Sequence, residues 1–396
     1  MAAIDSTGRF SVRVPLVNTS EIYIDIGRQG INTVVEPGET YFLLHDFSTG
    51  HVLFMGEDVR LQNELQTHPP LYVDGYLRKG QGTVDEFRIQ MEEKYRHVVE
   101  ELSRRVEEHP NLSRRYRYYM ESFALTGLGR SMMQARFVVP DWQLPEDYVD
   151  FVRTKVWQRP SKPCTLCQNF GILMRDYIGH FSEAKDKARG NAVFNAFKRL
   201  RQQGEISMTE EEANTVEAYQ LAVRELQEKL NAEPSDSLRQ RMVVELGKSE
   251  LSQRFMSLVT RFEDVLNEEI LIDNIDFWKE DAESVGCDSI LCQIHLARKL
   301  YGLIDNMRKP LPDRMMAKAE WGIRLEGGWD IVSREQEKYV SIQNRDLSDV
   351  SRLRSAEDVK DVTGGEALLR KLTEPYRGKL VLLDIWGTWC GPCKEA

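Results

Sequence analysis

The sequence KLVLLDIWGTWCGPCKEA, residues 379–396, joins a continuous apolar run to two closely spaced cysteines. The run has the length of a strand, and it is typical of a parallel strand that is buried on both faces of an α/β sheet. Where such a strand turns directly into a helix, Cys390 lies at the amino terminus of that helix. Free backbone N–H groups and the positive end of the helix dipole stabilise a thiolate there. The stretch therefore predicts a reactive cysteine at a strand-to-helix junction.

The residues around Cys390 fit this junction. Gly391 permits a tight turn, and Pro392 suits the first helical turn because its missing N–H is not needed there. Cys393 then lies close to Cys390, so the pair can form a disulfide or resolve one that is made with a substrate. A Cys-x-x-Cys motif alone is a weak signal. Its combination with the apolar run, Trp389 and a following lysine favours a redox-active pair.

These residues resemble the thioredoxin superfamily, and RGKLVLLDIWGTWCGPCKEA is most similar to its TlpA/ResA-like branch of extracytoplasmic thiol–disulfide oxidoreductases. The resemblance implies that Cys390 is the nucleophilic cysteine, that Cys393 is the resolving one, and that Trp389 flanks their disulfide. It also implies that Asp384 is the buried carboxylate that assists proton transfer at the second cysteine. Burial among apolar residues would raise the pKa of this carboxyl, as a proton shuttle requires. The alternative is an aspartate at the strand end that faces water.

The resemblance also implies an activity, partners and a location. The protein would exchange disulfides with protein thiols, and an upstream thiol reductant would recycle the pair without any metal or organic cofactor. The location would be periplasmic or otherwise extracytoplasmic. The six cysteines form three local pairs, which an oxidising compartment favours, although cytosolic redox and metal proteins also contain such pairs. No signal peptide is visible in the first residues of the chain.

The resemblance at the level of motifs covers residues 365–396 only. A thioredoxin-like domain needs on the order of 100 residues to form a core, so we expect the chain to be a fragment that is incomplete within this domain. The first segment, AIDSTGRFSVRVPL, resembles an internal strand of the TlpA-like amino-terminal domain, which suggests that earlier strands are missing too. We expect the thiol pair to lack activity in such a fragment.

Upstream of the motif, the sequence predicts an α+β multidomain protein with three regions. A small β-sandwich is expected at residues 1–60, an all-helical domain at 61–345, and the beginning of a thioredoxin-like α/β domain at 346–396. In the first region, RFSVRVPL and EIYIDIG alternate apolar and polar residues as half-buried strands do. Pro37-Gly38 marks a turn before two further apolar runs. Four strands with one apolar face need a second layer, which favours a sandwich.

The middle region has the apolar spacing of helices. Thr83 and Glu86 form a capping-box pattern, and behind it apolar residues recur every three or four positions: Val84, Phe87, Met91, Tyr95, Val98, Leu102 and Val106. A second row follows at Leu112, Tyr116, Tyr119 and Phe123. Aromatic rows of this kind indicate core packing rather than a cofactor site. The highly charged residues 200–230 indicate a helix with a solvated face. In the third region, loops and a short helix are expected before the motif.

The remaining cysteines carry weaker signals. Cys164 and Cys167 form a second Cys-x-x-Cys, but no apolar strand leads into it, so a structural disulfide or an accidental pair is favoured over a second redox centre. Cys287 and Cys292 lie at the start of a helix and predict either a local disulfide or two buried thiols. Zinc binding is disfavoured because no recognised ligand spacing links the pairs and no His-x3–5-His accompanies them.

Composition limits the partners. The chain has 63 acidic and 53 basic residues and a formal net charge of −10, and no basic block is free of acids, so a nucleic-acid surface is disfavoured. No apolar run approaches the roughly 18 residues of a membrane-spanning helix. The main alternative to an oxidoreductase is a partner-binding module. In that interpretation residues 1–345 recognise a partner and the thioredoxin-like part is accessory.

Overall fold

The computed structural model describes residues 5–14, 16, 19–26, 30–80, 82–140, 143–158, 166–189, 192–345 and 359–380. The chain divides into two compact units, with the boundary between Val340 and Ser341. It is mostly helical, with a small β region of two sheets near the amino terminus. The expected α+β composition, with strands first and helices after them, is therefore confirmed at this level.

The β region consists of two antiparallel hairpins. Strand β1 (Ser20–Asp25) pairs with β2 (Gly30–Val35), and β3 (Phe42–His45) pairs with β4 (Val52–Met55). The predicted turn at Pro37-Gly38 lies between the hairpins, and Gly38 has φ +80°, a conformation that favours glycine.

The second layer of the β region is helical, which differs from the expected sandwich of two facing sheets. Helix α1 (Arg60–Thr67) packs against both β2 and β4. Val34 of β2 clusters with Leu61 and Leu65 of α1, and the Gln62 side chain donates a hydrogen bond to the Val34 carbonyl at 2.8 Å. A helix that follows directly in the chain can cover the apolar face of a hairpin in place of a second sheet.

The segment RFSVRVPL also differs from its prediction. Its described residues 9–14 form no strand, and Phe10, Val12 and Val14 are exposed. The next alternating segment behaves as expected, because Ile22, Ile24 and Ile26 are half-buried while Tyr23 and Asp25 are exposed. Alternation creates a strand only where a neighbour supplies backbone hydrogen bonds.

Thirteen further helices follow α1 in the described ranges. They are α2 (Val84–Glu108), α3 (Arg114–Gln134), α4 (Glu146–Val152), α5 (Gln168–Arg189), α6 (Ala192–Gln203), α7 (Glu210–Ala232), α8 (Asp236–Lys248), α9 (Glu250–Arg261), α10 (Glu263–Ser284), α11 (Ser289–Met307), α12 (Asp313–Gly322), α13 (Glu326–Gln343) and α14 (Gly365–Thr373). A π-helix, Arg153–Trp157, continues α4. Short 3₁₀ turns lie at Ala135–Val138 and Glu374–Tyr376.

The capping box of α2 is confirmed. The Glu86 N–H donates to the Thr83 hydroxyl at 3.2 Å, and the Thr83 N–H donates to the Glu86 carboxylate at 2.8 Å. Thr209 and Glu212 repeat the same arrangement at the start of α7, with the same two distances. In each case two donors that the first helical turn leaves unpaired are satisfied.

The aromatic rows lie in the core, as predicted. Tyr116, Tyr119 and Phe123 of α3 are buried and pack with residues of α1, α2 and α5 in one apolar cluster. A neighbouring cluster contains Tyr148 and Tyr177. Two further clusters hold together α10–α13 and, separately, α6, α7, α9 and α10. These aromatic side chains therefore pack the interior.

The charged stretch 200–230 contains the solvated helix that was expected. Only Ala213 and Val216 of α7 are buried. Arg261 of α9 forms an ion pair with Glu212 at 2.6 Å, and this contact, with the N–H of Thr209, lowers the pKa of the half-buried Glu212 carboxyl to about 2. In the part of the chain that the structure describes, no helix is long and apolar enough to cross a membrane.

Candidate functional site

The predicted redox site lies outside the described residues. This applies to Cys390, Cys393 and Asp384 and also to the supporting residues Trp389, Gly391 and Pro392. The described chain that leads to them contains the short helix that was predicted for this region, α14, and the 3₁₀ turn Glu374–Tyr376. The roles of these six residues stay predictions that rest on the sequence.

The second Cys-x-x-Cys is described only at its second cysteine, since Cys164 lies outside the described ranges. Cys167 directly precedes α5, and its carbonyl accepts a hydrogen bond from the Phe170 N–H at 3.0 Å. The thiol is 1% exposed and packs within the cluster that contains Phe170. Burial of this kind makes a cysteine inaccessible to a protein substrate.

A carboxylate already occupies the amino terminus of α5. One oxygen of Glu21 accepts a hydrogen bond from the Gln168 N–H at 2.7 Å, and the other accepts one from the Tyr119 hydroxyl at 2.8 Å. Burial, reinforced by Glu21, raises the pKa of Tyr119 well above its usual range. The first N–H of α5 and the buried Tyr119 hydroxyl are thus both bound to one carboxylate, so this contact has a structural role.

Cys287 and Cys292 are thiols rather than a disulfide. They flank the N-cap residue Asp288, whose carboxylate accepts a hydrogen bond from the Leu291 N–H at 2.9 Å. The Cys292 thiol donates to the Cys287 carbonyl at 3.6 Å. The two cysteines therefore occupy the positions of a hydrophobic staple across the start of α11. Their spacing around an aspartate was a signal for this role.

The two thiols have raised pKa values, whereas a reactive cysteine has a lowered pKa. Burial, with the neighbouring Cys292, raises the pKa of Cys287 to about 12. Burial also raises the pKa of Cys292. A thiol with such a pKa is almost entirely protonated at neutral pH and is a poor nucleophile.

One shallow cleft of about 520 Å³ opens between the π-helix, α5 and the end of α10. Its lining includes Arg153, Tyr177, Phe181 and Glu283. The Arg153 guanidinium lies 5.7 Å from the centre of the Phe181 ring and also pairs with Asp150. The cleft therefore presents a cation, a carboxylate and aromatic surface together.

The π-helix shapes this cleft. Trp157 at its end stacks on Tyr177 with ring centroids 4.4 Å apart, and its indole N–H donates to the Val285 carbonyl at 3.0 Å. Trp157 packs against the core, while Arg153 at the start of the same π-helix lines the cleft. Single-turn π-helices of this kind often accompany functional sites. Nothing in the sequence RTKVW distinguishes this turn from an ordinary α-helix.

Metal ligation finds no support in the described ranges, where no group of three or more His, Cys, Asp or Glu side chains could hold a metal ion.

Comparison with known proteins found no match among protein-family models, among curated proteins or among solved structures. The functional interpretation therefore depends on the residues of this chain.

Proposed function

We propose that this chain belongs to a thiol–disulfide oxidoreductase whose reactive pair is Cys390 and Cys393, within a thioredoxin-like α/β domain that begins near residue 346. The observation that carries the proposal is the sequence itself, in which a strand-length apolar run leads directly into Trp-Cys-Gly-Pro-Cys-Lys. Such a junction places the first thiol at a helix amino terminus, where a thiolate is stabilised.

The reaction proceeds by two sulfur exchanges. The Cys390 thiolate attacks one sulfur of a partner disulfide, and the second partner sulfur leaves as a thiolate that takes up a proton. Cys393 then loses its proton to the Asp384 carboxylate and attacks the Cys390 sulfur of the mixed disulfide. This step releases the reduced partner and leaves a Cys390–Cys393 disulfide. An external dithiol returns two electrons and two protons to the pair.

The three cysteines that the structure describes support the choice of Cys390 as the attacking thiol, because their own properties make them unreactive. Cys167 is buried, and the high pKa of Cys287 makes it a poor nucleophile at neutral pH. Cys292 is also buried, with a raised pKa. None of these three therefore competes as the attacking thiol.

Serine substitutions in the full-length protein test the proposal. Cys390→Ser should abolish reduction of a disulfide-bonded protein substrate by a dithiol. Cys393→Ser should instead accumulate a mixed disulfide between Cys390 and the substrate, visible as a larger species that reductant removes. Cys292→Ser is the matched control and should keep the rate of the wild type. Full activity in Cys390→Ser would show that the proposal is wrong.

A location outside the cytoplasm and a thiol reductant as redox partner are parts of the same proposal. The second candidate function is partner recognition by residues 1–345, and the mixed-polarity cleft beside Arg153 favours it. If the serine variants lose all disulfide exchange while the protein keeps its cellular role, the binding function would be the principal one.

A further inference from the structure

Helices α5 and α11 meet in one apolar cluster, which includes Phe170 and Met174 of α5 and Cys292 of α11. On the same pair of helices, Gly171 of α5 is in contact with the Arg298 guanidinium of α11. A methyl group at Gly171 would lie only 2.7 Å from Arg298 Cζ. Glycine is a poor helix former compared with alanine, and here it leaves the space that the guanidinium occupies.

Arg298 has no counter-ion among the described residues, since no hydrogen bond or ion pair there involves its guanidinium. Burial, with the neighbouring Arg175, lowers the pKa of Arg298. Part of the side chain is nevertheless exposed to solvent. A partly desolvated cation beside a second cation is unfavourable, so an anion that reaches Arg298 from solution would be stabilised there.

The second arginine lies on the same face of α5 as the glycine. Arg175 is four residues after Gly171, and its side chain is 60% exposed. Two of its nitrogens donate to the buried Asp176 carboxylate at 2.9 and 3.3 Å, and Asp176 also lies 3.8 Å from Arg136. One carboxylate thus serves two arginines, and the charge beside Arg298 stays positive.

His295 adds a buried nitrogen without a hydrogen-bond partner. It lies three residues before Arg298, so the two side chains share a face of α11. The imidazole is 4% exposed, and its Nε2 has no partner among the described residues. Burial lowers its pKa to about 4, and the charged groups that add to this shift, Lys299 and Arg298, are both cations. Since buried polar atoms are nearly always hydrogen-bonded, this nitrogen indicates a ligand that supplies the missing bond.

We propose that Arg298, Arg175 and His295 form a binding site for a small oxyanion of the phosphate class, here named the arginine site. A planar guanidinium can donate two parallel hydrogen bonds to a phosphate, and the N–H of a neutral imidazole donates a third. The net charge of the whole chain is −10 and repels anions in general, so binding depends on these local donors. It requires neither Cys390 nor Cys393.

Calorimetric titration of inorganic phosphate into the full chain tests the proposal. We expect saturable binding to one site in the wild type. Arg298→Gln removes one guanidinium and should raise the dissociation constant by about tenfold or more, because charge-assisted hydrogen bonds are lost. Arg241→Gln is the matched control, since Arg241 is also an exposed arginine on a helix, α8. The control should leave the dissociation constant unchanged.

Gly171→Ala tests the geometry of the arginine site. Its methyl group forces the Arg298 guanidinium to move, whereas alanine favours the helix. We therefore expect weaker phosphate binding with native far-UV circular dichroism. Gly247→Ala on α8 is the control, because a methyl group there meets no atom within 4 Å, and it should bind phosphate as the wild type does.

The titration of His295, followed by NMR, gives a readout that a purely structural role would not change. A bound anion favours the imidazolium, so phosphate should raise the pKa of His295 above its value of about 4. A wild type that binds no phosphate overturns the proposal, and so does binding that Arg298→Gln or Gly171→Ala leaves unchanged. Binding that does not shift the pKa of His295, or that Arg241→Gln weakens equally, overturns it too.

Discussion

Single residues differ in how far the sequence predicts their chemistry. The spacing of Cys287 and Cys292 predicts a local pair, but their raised pKa values follow from burial at the start of α11. His295 shows this difference more clearly. Nothing in LCQIHLARKL distinguishes it, yet it is 4% exposed, and its Nε2 has no hydrogen-bond partner among the described residues. Burial, with Lys299 and Arg298 nearby, lowers its pKa to about 4.

His295 should make the stability of the protein depend on pH. The unfolded chain binds a proton at this residue below its ordinary pKa of about 6.5, whereas the folded chain does so only near pH 4. The contribution of neutral His295 to the free energy of unfolding is therefore fully present above pH 6.5. About 3 kcal/mol of it is lost as the pH falls toward 4.

Urea unfolding of the wild type and of His295→Leu at pH 7 and pH 5 measures this effect. The leucine variant should lose part of the difference between the two pH values, because it has no group to titrate. His97→Leu on α2 is the control, since His97 is exposed. An equal pH dependence in wild type and His295→Leu would contradict the prediction.

At the scale of elements, the most predictable helices were those with an N-terminal capping box and a stripe of apolar residues. Thr83 with Glu86 marks the start of α2, and the same pattern at Thr209 and Glu212 marks α7. These signals are local, because the cap satisfies donors within the same turn. The segment RFSVRVPL was less predictable, since a strand needs a partner that its own sequence does not contain.

Removal of the α2 cap should cost a measurable amount of stability. Thr83→Ala removes the hydroxyl that accepts the Glu86 N–H, and we expect a loss of about 1 kcal/mol in the free energy of unfolding. Thr83→Ser keeps the acceptor and should lose much less. Urea titration measures both variants. A loss of the same size in Thr83→Ser would show that the methyl group, and not the cap, stabilises the helix.

At the scale of the whole molecule, contacts between distant parts of the chain form the interior and the cleft. Trp157 and Val285 are 128 residues apart, yet a hydrogen bond joins them. No local signal indicates this contact, which connects the π-helix to the end of α10.

The Trp157–Val285 hydrogen bond should stabilise the first compact unit. Trp157→Phe keeps an aromatic ring against Tyr177 but leaves the Val285 carbonyl without its donor, so we expect a loss of about 1 to 3 kcal/mol. Trp321→Phe is the matched control, because Trp321 is 79% exposed, and its change should stay within about 0.5 kcal/mol. Thermal unfolding followed by circular dichroism compares the two, and equal losses would contradict the prediction.

The sequence by itself determined the helical stripes, the α2 cap, the assignment of aromatic rows to the core and the Cys390–Cys393 motif on which the functional proposal rests. Each of these depends on residues within a few turns of one another, where spacing along the chain equals spacing in the fold. Only the tertiary structure decided that α1 covers both hairpins and that Glu21 occupies the amino terminus of α5. These features depend on which distant residues meet, and burial and hydrogen-bond partners exist only once the chain has folded.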